Sequence, residues 1–244
     1  MRYRCTVFLA SVVAILAAVI PASSPSFLYQ GRSQNVNGSR AFDWEGWQVE
    51  LTLTGATFVH VLLTVPVGVS NWLRVFIDGS PLPTRYWVNS SMTSYPIVST
   101  ALPAGPHNLR VYNTNEPCHS GTTRAPFVFN GFETDGAVVP SAPRRHRLEL
   151  VGDSQLAGSG DVGTPPCNGT LETTDHSVSW GPVLCAALDA NCSYLAYSGR
   201  GVYQNCCDAT PAAGEKMPAL WRQTFGGPAW EWDWDFGQSS KLML

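Results

Sequence analysis

Apolar and polar residues alternate with a period of two between about residues 47 and 139, and this pattern constrains the fold most strongly. Such a run predicts a strand with one buried face, because successive side chains point to opposite faces of a sheet. The apolar positions form these runs: Trp47, Val49, Leu51 and Leu53; Val59, Val61, Leu63 and Val65; Leu73, Val75 and Ile77; Leu109 and Val111; Phe127 and Phe129. Turn signals rich in Gly and Pro separate them. We therefore predict an all-β sandwich, of the jelly-roll type, over residues 25–139.

The pattern changes after residues 140–146, a segment with two prolines and two arginines that we interpret as a linker. A short apolar strand then runs from Leu148 to Val151, and a second runs from Tyr194 to Tyr197. Between them, apolar residues recur at helical spacing, at Trp180, Val183, Leu184, Ala187 and Leu188. The order strand, helix, strand requires a crossover and a parallel pair. Residues 147–244 are therefore predicted to belong to an α/β domain of the doubly wound kind.

A polar loop follows each of the two predicted parallel strands. Residues 152–155 read GDSQ, and residues 198–201 read SGRG. Ligands bind outside the carboxyl ends of parallel strands, so we expect the two loops to form one site. Gly152 would permit a tight turn that presents the Ser154 hydroxyl, and the backbone N–H groups of Ser154 and Gly199 would stabilise an oxyanion. Each motif alone is ordinary turn chemistry, but their joint placement favours an active site.

Four stretches extend this pattern over most of the chain: GSRAFDWEGWQVELTLTGATFVHVLL from Gly38, RLELVGDSQLAGSG from Arg147, SWGPVLCAALDANCSYLAYSGRGV from Ser179, and MPALWRQTF from Met217 with the later WDWDFGQ. In this order they resemble carbohydrate esterase family 2, in the wider SGNH (GDSL-like) hydrolase group. Members of that family join an N-terminal jelly roll to an α/β esterase domain. The resemblance runs from about Gly31 to Gln238.

The resemblance implies a serine esterase that removes acetyl groups from plant cell-wall polysaccharides or their sugars, with no metal or other cofactor. Ser154 matches the nucleophile, and Gly199 matches the second oxyanion donor. Asp153, next to the serine, takes no catalytic role from the resemblance, and we expect it to hold the loop.

Two further elements of the group have no counterpart in this sequence. One is a G-x-N-D segment whose Asn completes the oxyanion hole, and the other is a late histidine, often in D-x-x-H, that acts as general base. Residues 239–244, which follow the resemblance, contain neither. A serine without a base is a poor nucleophile. We therefore expect a C-terminally truncated SGNH hydrolase-like domain in which the general base histidine is not present.

The histidines of the chain offer little substitute for that base. His60 and His107 fall in the sandwich, His119 in its loops, and His146 at the amino end of the first parallel strand. His176 is the one candidate, but we expect it to be a solvated loop residue. An aromatic cluster comprises Trp230, Trp232, Trp234 and Phe236. It suggests a sugar-stacking platform or, as the resemblance favours, a packed loop.

The amino terminus predicts export. Arg2 and Arg4 precede an apolar run from Val7 to Ile20, which small residues follow. The run is shorter than the about 20 residues that a spanning helix needs. We therefore expect a signal peptide over residues 1–24 and a secreted, extracellular protein with no membrane partner once that peptide is removed. A net charge of -3 without a long basic run argues against nucleic acid. The resemblance implies an acetylated sugar or polysaccharide as partner.

An even number of cysteines follows the predicted signal peptide, namely Cys118, Cys167, Cys185, Cys192, Cys206 and Cys207. In an exported protein they predict disulfides, with the pairing left open, and their spacing disfavours a zinc site. Asn-x-Ser/Thr sequons predict glycosylation in a eukaryotic source at Asn37, Asn89, Asn168 and Asn191.

Three functions are compatible with these observations. The first, which we favour, is an esterase lineage whose present chain is catalytically incomplete. The second is a non-catalytic secreted carbohydrate-binding protein in which the sandwich does the binding. The third is an active esterase that uses His176 as its base.

Overall fold

The predicted sandwich strands form two antiparallel sheets in a computed structural model that describes residues 17–117, 125–227 and 233–236. In chain order the strands are β1 Ala18–Pro21, β2 Leu28–Gln30, β3 Gln34–Val36, β4 Ser39–Phe42, β5 Gln48–Thr54, β6 Val59–Thr64, β7 Ser70–Ile77, β8 Ser80–Pro81, β9 Tyr86–Asn89, β10 Ser94–Val98, β11 Pro106–Asn113, β12 Phe127–Thr134 and β13 Ala137–Val139. One sheet has the order β10-β6-β12-β4-β3, with β1 also paired to β12. The other has the order β13-β5-β11-β7-β8, with β2 also on β5 and β9 also on β7.

The alternating apolar residues point between the two sheets and form the main core. Val49, Leu51 and Leu53 of β5 are all fully buried, and the aromatic rings of Phe42 and Trp47 stack with centroids 3.6 Å apart. This confirms the strand prediction and the N-terminal β domain. The opposite face of β5 differs from the expectation of a half-solvated strand, because the start of that face is also buried.

A strand, a helix and a parallel strand follow the sandwich. The elements are β14 His146–Gly152, α1 Ser154–Ala157, a 3₁₀ turn His176–Val178, α2 Trp180–Ala187, β15 Ala190–Ala196 and α3 Met217–Leu220. β14 and β15 pair in parallel, as the order of elements predicted. These elements pack against the sandwich at the polar face of β5. There, the Gln30 side chain of β2 donates a hydrogen bond to Glu50 and accepts one from the Cys192 N–H of β15.

Helix α2 is present, but its predicted apolar stripe faces outward. Trp180, Val183 and Leu184 are between 38% and 62% exposed, whereas Gly181 and Cys185 are buried. The face of α2 that packs against the strands requires small residues, because a Cβ on Gly181 would lie 2.6 Å from the Leu156 side chain. A disulfide joins Cys185 of α2 to Cys192 of β15 and fixes that side against the strand.

The described residues include no helix that is long and apolar enough to cross a membrane. The region predicted as the end of the signal peptide instead contains β1, whose residues 18–21 pair with residues 131–134 of β12. Ala22 is 1% exposed in the core, and its carbonyl oxygen accepts the Tyr29 hydroxyl at 2.6 Å.

We expect export to leave β1 on the mature protein. Removal through residue 24 would strip the paired edge of β12 and would expose the core near Ala22, so a cut before Ala18 preserves more of the folded structure. Amino-terminal sequencing of the secreted protein should therefore begin at or before Ala18. A mature terminus between residues 22 and 26 would contradict this and support the boundary drawn from sequence alone.

Candidate active site

The two polar loops leave the same edge of the parallel strand pair. Gly152 at the end of β14 lies opposite Ala196 at the end of β15. The Tyr197 N–H donates to the Gly152 carbonyl oxygen at 3.2 Å and extends this pairing by one step. Ser154 and Gly199 therefore follow neighbouring strand ends. This is the relative placement that the alternation of strand and helix indicated.

Ser154 begins helix α1, and Asp153 caps that helix. Asp153 Oδ1 accepts a hydrogen bond from the Gln155 N–H at 3.1 Å, which pairs one of the N–H groups that a helix start leaves open. Gly158, with φ of 72°, ends the helix. The half-buried Ser154 has no side-chain hydrogen bond within residues 17–117, 125–227 and 233–236. Asp153 thus shapes the loop, and no described base reaches the serine hydroxyl.

The glycines of the two loops are needed for different reasons. Gly199 has φ of 78°, a conformation that residues with a side chain adopt rarely. Gly152 does not have a positive φ. A Cβ at Gly152 would instead lie 2.8 Å from Leu156 Cβ, because α1 folds back over the end of β14. The expected turn residue is therefore required for its small size.

Acidic side chains of the sandwich hold the chain on either side of the β15 end. Glu45 Oε1 accepts the Ala196 N–H at 2.7 Å. Glu116 accepts both the N–H and the hydroxyl of Ser198, one on each carboxylate oxygen. Both acids are 0% exposed. The residues directly before Gly199 are thus positioned by carboxyl groups from the other part of the molecule.

Burial raises the pKa values of two acids in this contact. The pKa of Glu45 lies well above its ordinary value because the group is desolvated and because the Glu116 carboxylate is near. Desolvation raises the pKa of Asp43 to about 7, although the N–H groups of Gly226 and Gly227 donate to its carboxylate at 3.1 and 2.9 Å. Such acids are tolerated in a buried contact because protonation removes part of the cost of burying charge.

His176 is fully buried, which corrects the expectation of a solvated loop histidine. Its Nδ1 donates to the Leu156 carbonyl oxygen at 2.8 Å, and its ring lies between Tyr112 of β11 and Tyr194 of β15. Burial lowers the pKa of His176 to about 4. The loop is drawn inward because its backbone also bonds the sandwich, through the His176 N–H and the Thr114 carbonyl oxygen at 2.8 Å. His176 is therefore a neutral contact residue.

The aromatic residues near the end of the described chain gather around a buried arginine. The Arg32 guanidinium lies 5.1 Å from the ring centroid of Trp234 and 5.5 Å from that of Phe236. It also pairs with Glu149 of β14 at 2.9 Å. A pocket of about 290 Å³ opens beside Glu149, with Trp221 among its walls. It lies toward the amino half of the strands, away from the edge that carries Ser154.

Several other predicted residues can be placed. Asn37 and Asn168 are exposed, while Asn89 and Asn191 are half-buried. Cys167, Cys206 and Cys207 are free and exposed. The expectations for Cys118, His119, Trp230 and Trp232 lie outside the described residues.

The fold and the two loops define a class: a β-sandwich followed by parallel strands with a serine at their carboxyl ends. Residues 29–143 match the family model described as "Carbohydrate esterase 2 N-terminal". The chain is 28% identical over 187 residues to the "Cellulase/esterase CelE" of Acetivibrio thermocellus, which covers 75% of this chain. It is 24% identical over 220 residues to an "Acetylxylan esterase / glucomannan deacetylase" of Cellvibrio japonicus, which covers 88% of this chain. The N-terminal half of the chain thus matches the model of carbohydrate esterase family 2, and most of the chain is similar to esterases.

A solved structure shows the same similarity. The family two carbohydrate esterase of Clostridium thermocellum, in complex with cellohexaose, superposes with a TM-score of 0.72 at 25% identity. That match covers 87% of this chain and 62% of the other. The chain spans 22% of the length of the first relative and 58% of the length of the second.

Sequence reasoning missed the buried acids Asp43, Glu45 and Glu116. A signal was present in Asp43-Trp44-Glu45-Gly46-Trp47, where two acids alternate with large aromatic residues at the start of a core strand. A solvated turn seldom carries two tryptophans, so this run was a sign of acids buried in a contact.

We expect acid to weaken the fold through His176. Its pKa is about 4 in the folded protein and about 6.5 when unfolded, so between these values the unfolded chain binds the extra proton. The free energy of unfolding should therefore fall as pH drops from about 6.5 to 4, by up to about 3 kcal/mol, and this contribution should level off below pH 4.

The matched variant is His176→Asn, whose amide Nδ2 can still donate to the Leu156 carbonyl oxygen but does not titrate. Urea unfolding from pH 4 to 8 should show a smaller loss on acidification in this variant than in the parent protein. Asp43 and Glu45 titrate in both proteins, so the comparison isolates the imidazole. Parallel pH profiles for the two proteins would show that His176 is not buried in its neutral form.

Proposed function

We propose that this protein is a secreted member of an acetyl-esterase lineage that acts on O-acetylated plant cell-wall polysaccharides or sugars. Ser154 is the nucleophile position in this proposal, and the Gly199 N–H is an oxyanion donor. The observation that supports it is that Ser154 and the loop held by Glu116 follow the neighbouring carboxyl ends of β14 and β15. The family relationship supports the ester chemistry, since the relatives are carbohydrate esterases.

The proposed reaction needs a nucleophile, oxyanion donors and a base. Ser154 would attack the acetyl carbonyl carbon, and the carbonyl oxygen would take up negative charge that backbone N–H groups stabilise. The serine proton must pass to a base during this attack. His176 does not serve, because no hydrogen bond joins it to Ser154 and its buried ring is enclosed by Tyr112 and Tyr194. We therefore propose that residues 1–244 alone do not turn over acetyl esters.

A second candidate function is non-catalytic carbohydrate binding. The pocket beside Glu149 favours it, because Trp221, Trp234 and Phe236 give it aromatic walls on which a sugar ring can stack. The similar family two esterase from Clostridium thermocellum was solved with cellohexaose. Binding without turnover would be the signature of this function.

We expect the parent protein and Ser154→Ala to hydrolyse acetylated xylan and 4-nitrophenyl acetate at the same background rate. A missing base and a missing oxyanion donor each remove orders of magnitude in rate, on the order of 10²–10⁴ and 10²–10³. Serine-directed fluorophosphonate labelling of Ser154 should likewise be absent. Turnover at least tenfold above Ser154→Ala, with labelling at Ser154, would contradict the proposed lack of activity.

Calorimetric titration of the parent protein and of Ser154→Ala with cellohexaose tests the second candidate function, carbohydrate binding without turnover. Binding of equal affinity in both, lost in Trp221→Ala, would support a carbohydrate-binding function at the aromatic pocket. Trp87→Ala is a matched control, because Trp87 is a similarly exposed tryptophan on β9 and does not line that pocket.

A further inference from the structure

Two adjacent cysteines lie in the loop that follows the SGRG segment. Cys206 and Cys207 are both exposed, and their sulfur atoms are 2.8 Å apart. This distance is shorter than the ordinary contact distance between two sulfur atoms. The two thiols therefore point toward each other. Neighbouring cysteines in an extended chain would instead direct their side chains to opposite sides.

The buried Asn205 holds this loop in place. Asn205 Oδ1 accepts the Gly201 N–H at 3.1 Å, and Nδ2 donates to Asp208 at 2.8 Å and to the Glu215 carbonyl oxygen at 2.9 Å. One amide side chain thus ties both ends of the segment that contains the thiols. These hydrogen bonds therefore help to hold the loop in the conformation in which the two thiols are close together.

The cysteine pair also touches the proposed oxyanion loop. The Cys206 N–H donates to the Gly199 carbonyl oxygen at 2.9 Å. A Cβ placed on Gly199 would lie 3.3 Å from the Cys206 sulfur. Cys206 therefore contacts the peptide that follows Gly199 directly.

Other described cysteines do not compete for these thiols. Cys185 and Cys192 are already joined to each other. The Cys167 sulfur lies against the Gly160 carbonyl oxygen at 3.6 Å and near Gly163, in the loop after α1. Among the cysteines that the structure describes, each member of the pair thus has the other as its nearest free thiol.

We propose that Cys206 and Cys207 are a redox site that closes to a vicinal disulfide and braces the loop of Gly199. A small disulfide such as oxidised glutathione supplies the oxidant. One thiolate attacks it and releases one thiol, and the second thiolate then attacks the mixed disulfide and releases another. The protein pair loses two electrons and two protons, and the small disulfide gains them.

The bond should be easy to reduce. Neighbouring Cα atoms are about 3.8 Å apart, whereas disulfides usually span about 4.4–6.8 Å, so closure of the ring strains the loop. Strained, exposed disulfides have more oxidising potentials than buried structural ones. The pair is therefore expected to open at a glutathione ratio that leaves Cys185–Cys192 intact. That this brace affects an oxyanion donor rests on the proposed function, whereas the thiol chemistry does not.

The test equilibrates the full chain in glutathione buffers of graded ratio, quenches with acid, alkylates the free thiols and maps them by mass spectrometry. In oxidising buffer the peptide that holds both cysteines should lose alkylation at both positions and be lighter by two hydrogens than the reduced peptide. Cys206→Ser and Cys207→Ser should each leave the remaining cysteine without an intramolecular partner, as an alkylatable thiol or a glutathione adduct. Cys167→Ser is the matched control and should leave the paired oxidation unchanged.

Hydrogen exchange on the same samples tests whether the disulfide restrains the loop of Gly199. The amides of residues 199–201 should exchange more slowly in the oxidised protein than in the reduced one, and Cys207→Ser should remove the difference. Two free thiols in oxidising buffer, or a cross-link from either cysteine to Cys118 or Cys167, would overturn the proposal. Neither readout uses esterase activity, so a failure here is distinct from a failure of the proposed function.

Discussion

The contact between the sandwich and the parallel strands depends on carboxyl groups that are buried and must be paired. Glu45 and Glu116 meet backbone N–H groups of residues 196 and 198, and Asp43 meets those of residues 226 and 227. An unpaired buried carboxyl group costs several kcal/mol, so each acid favours only arrangements in which its N–H partners are present. The sandwich thereby sets the conformation of chain segments that are far from it in sequence.

This dependence explains why the candidate site has its shape. The described elements after the sandwich form only a small core of their own, which includes Leu156, Cys192 and Tyr194. The Ser154 turn rests on that core through Leu156, and the Gly199 loop rests on the sandwich through Glu116. Local sequence forms the turns, but the contact between the two parts orients them. The sandwich is thus part of the framework of the candidate site.

The sequence was informative where a single periodicity decides the outcome. Alternation predicted the core strands, and the order of elements predicted the parallel pair and the shared edge of its loops. It failed where tertiary contact overrides the local pattern. The apolar stripe of α2 faces outward because Gly181 and the Cys185 disulfide form the close contact, and His176 is enclosed by Tyr112 and Tyr194. Polar residues buried by a distant segment leave little trace in spacing alone.

Thermal unfolding of separately expressed parts tests the central claim most directly. Residues 144–244, produced alone in an oxidising host, are compared with the full chain and with residues 17–139. The account predicts a cooperative melt for the full chain and for the sandwich, but none for residues 144–244. The acids that pair their backbone are missing from that segment, and among the described residues β14 pairs with β15 alone. Protease resistance should follow the same order. A cooperative melt of the isolated 144–244 segment would show that the sandwich is not required to form it.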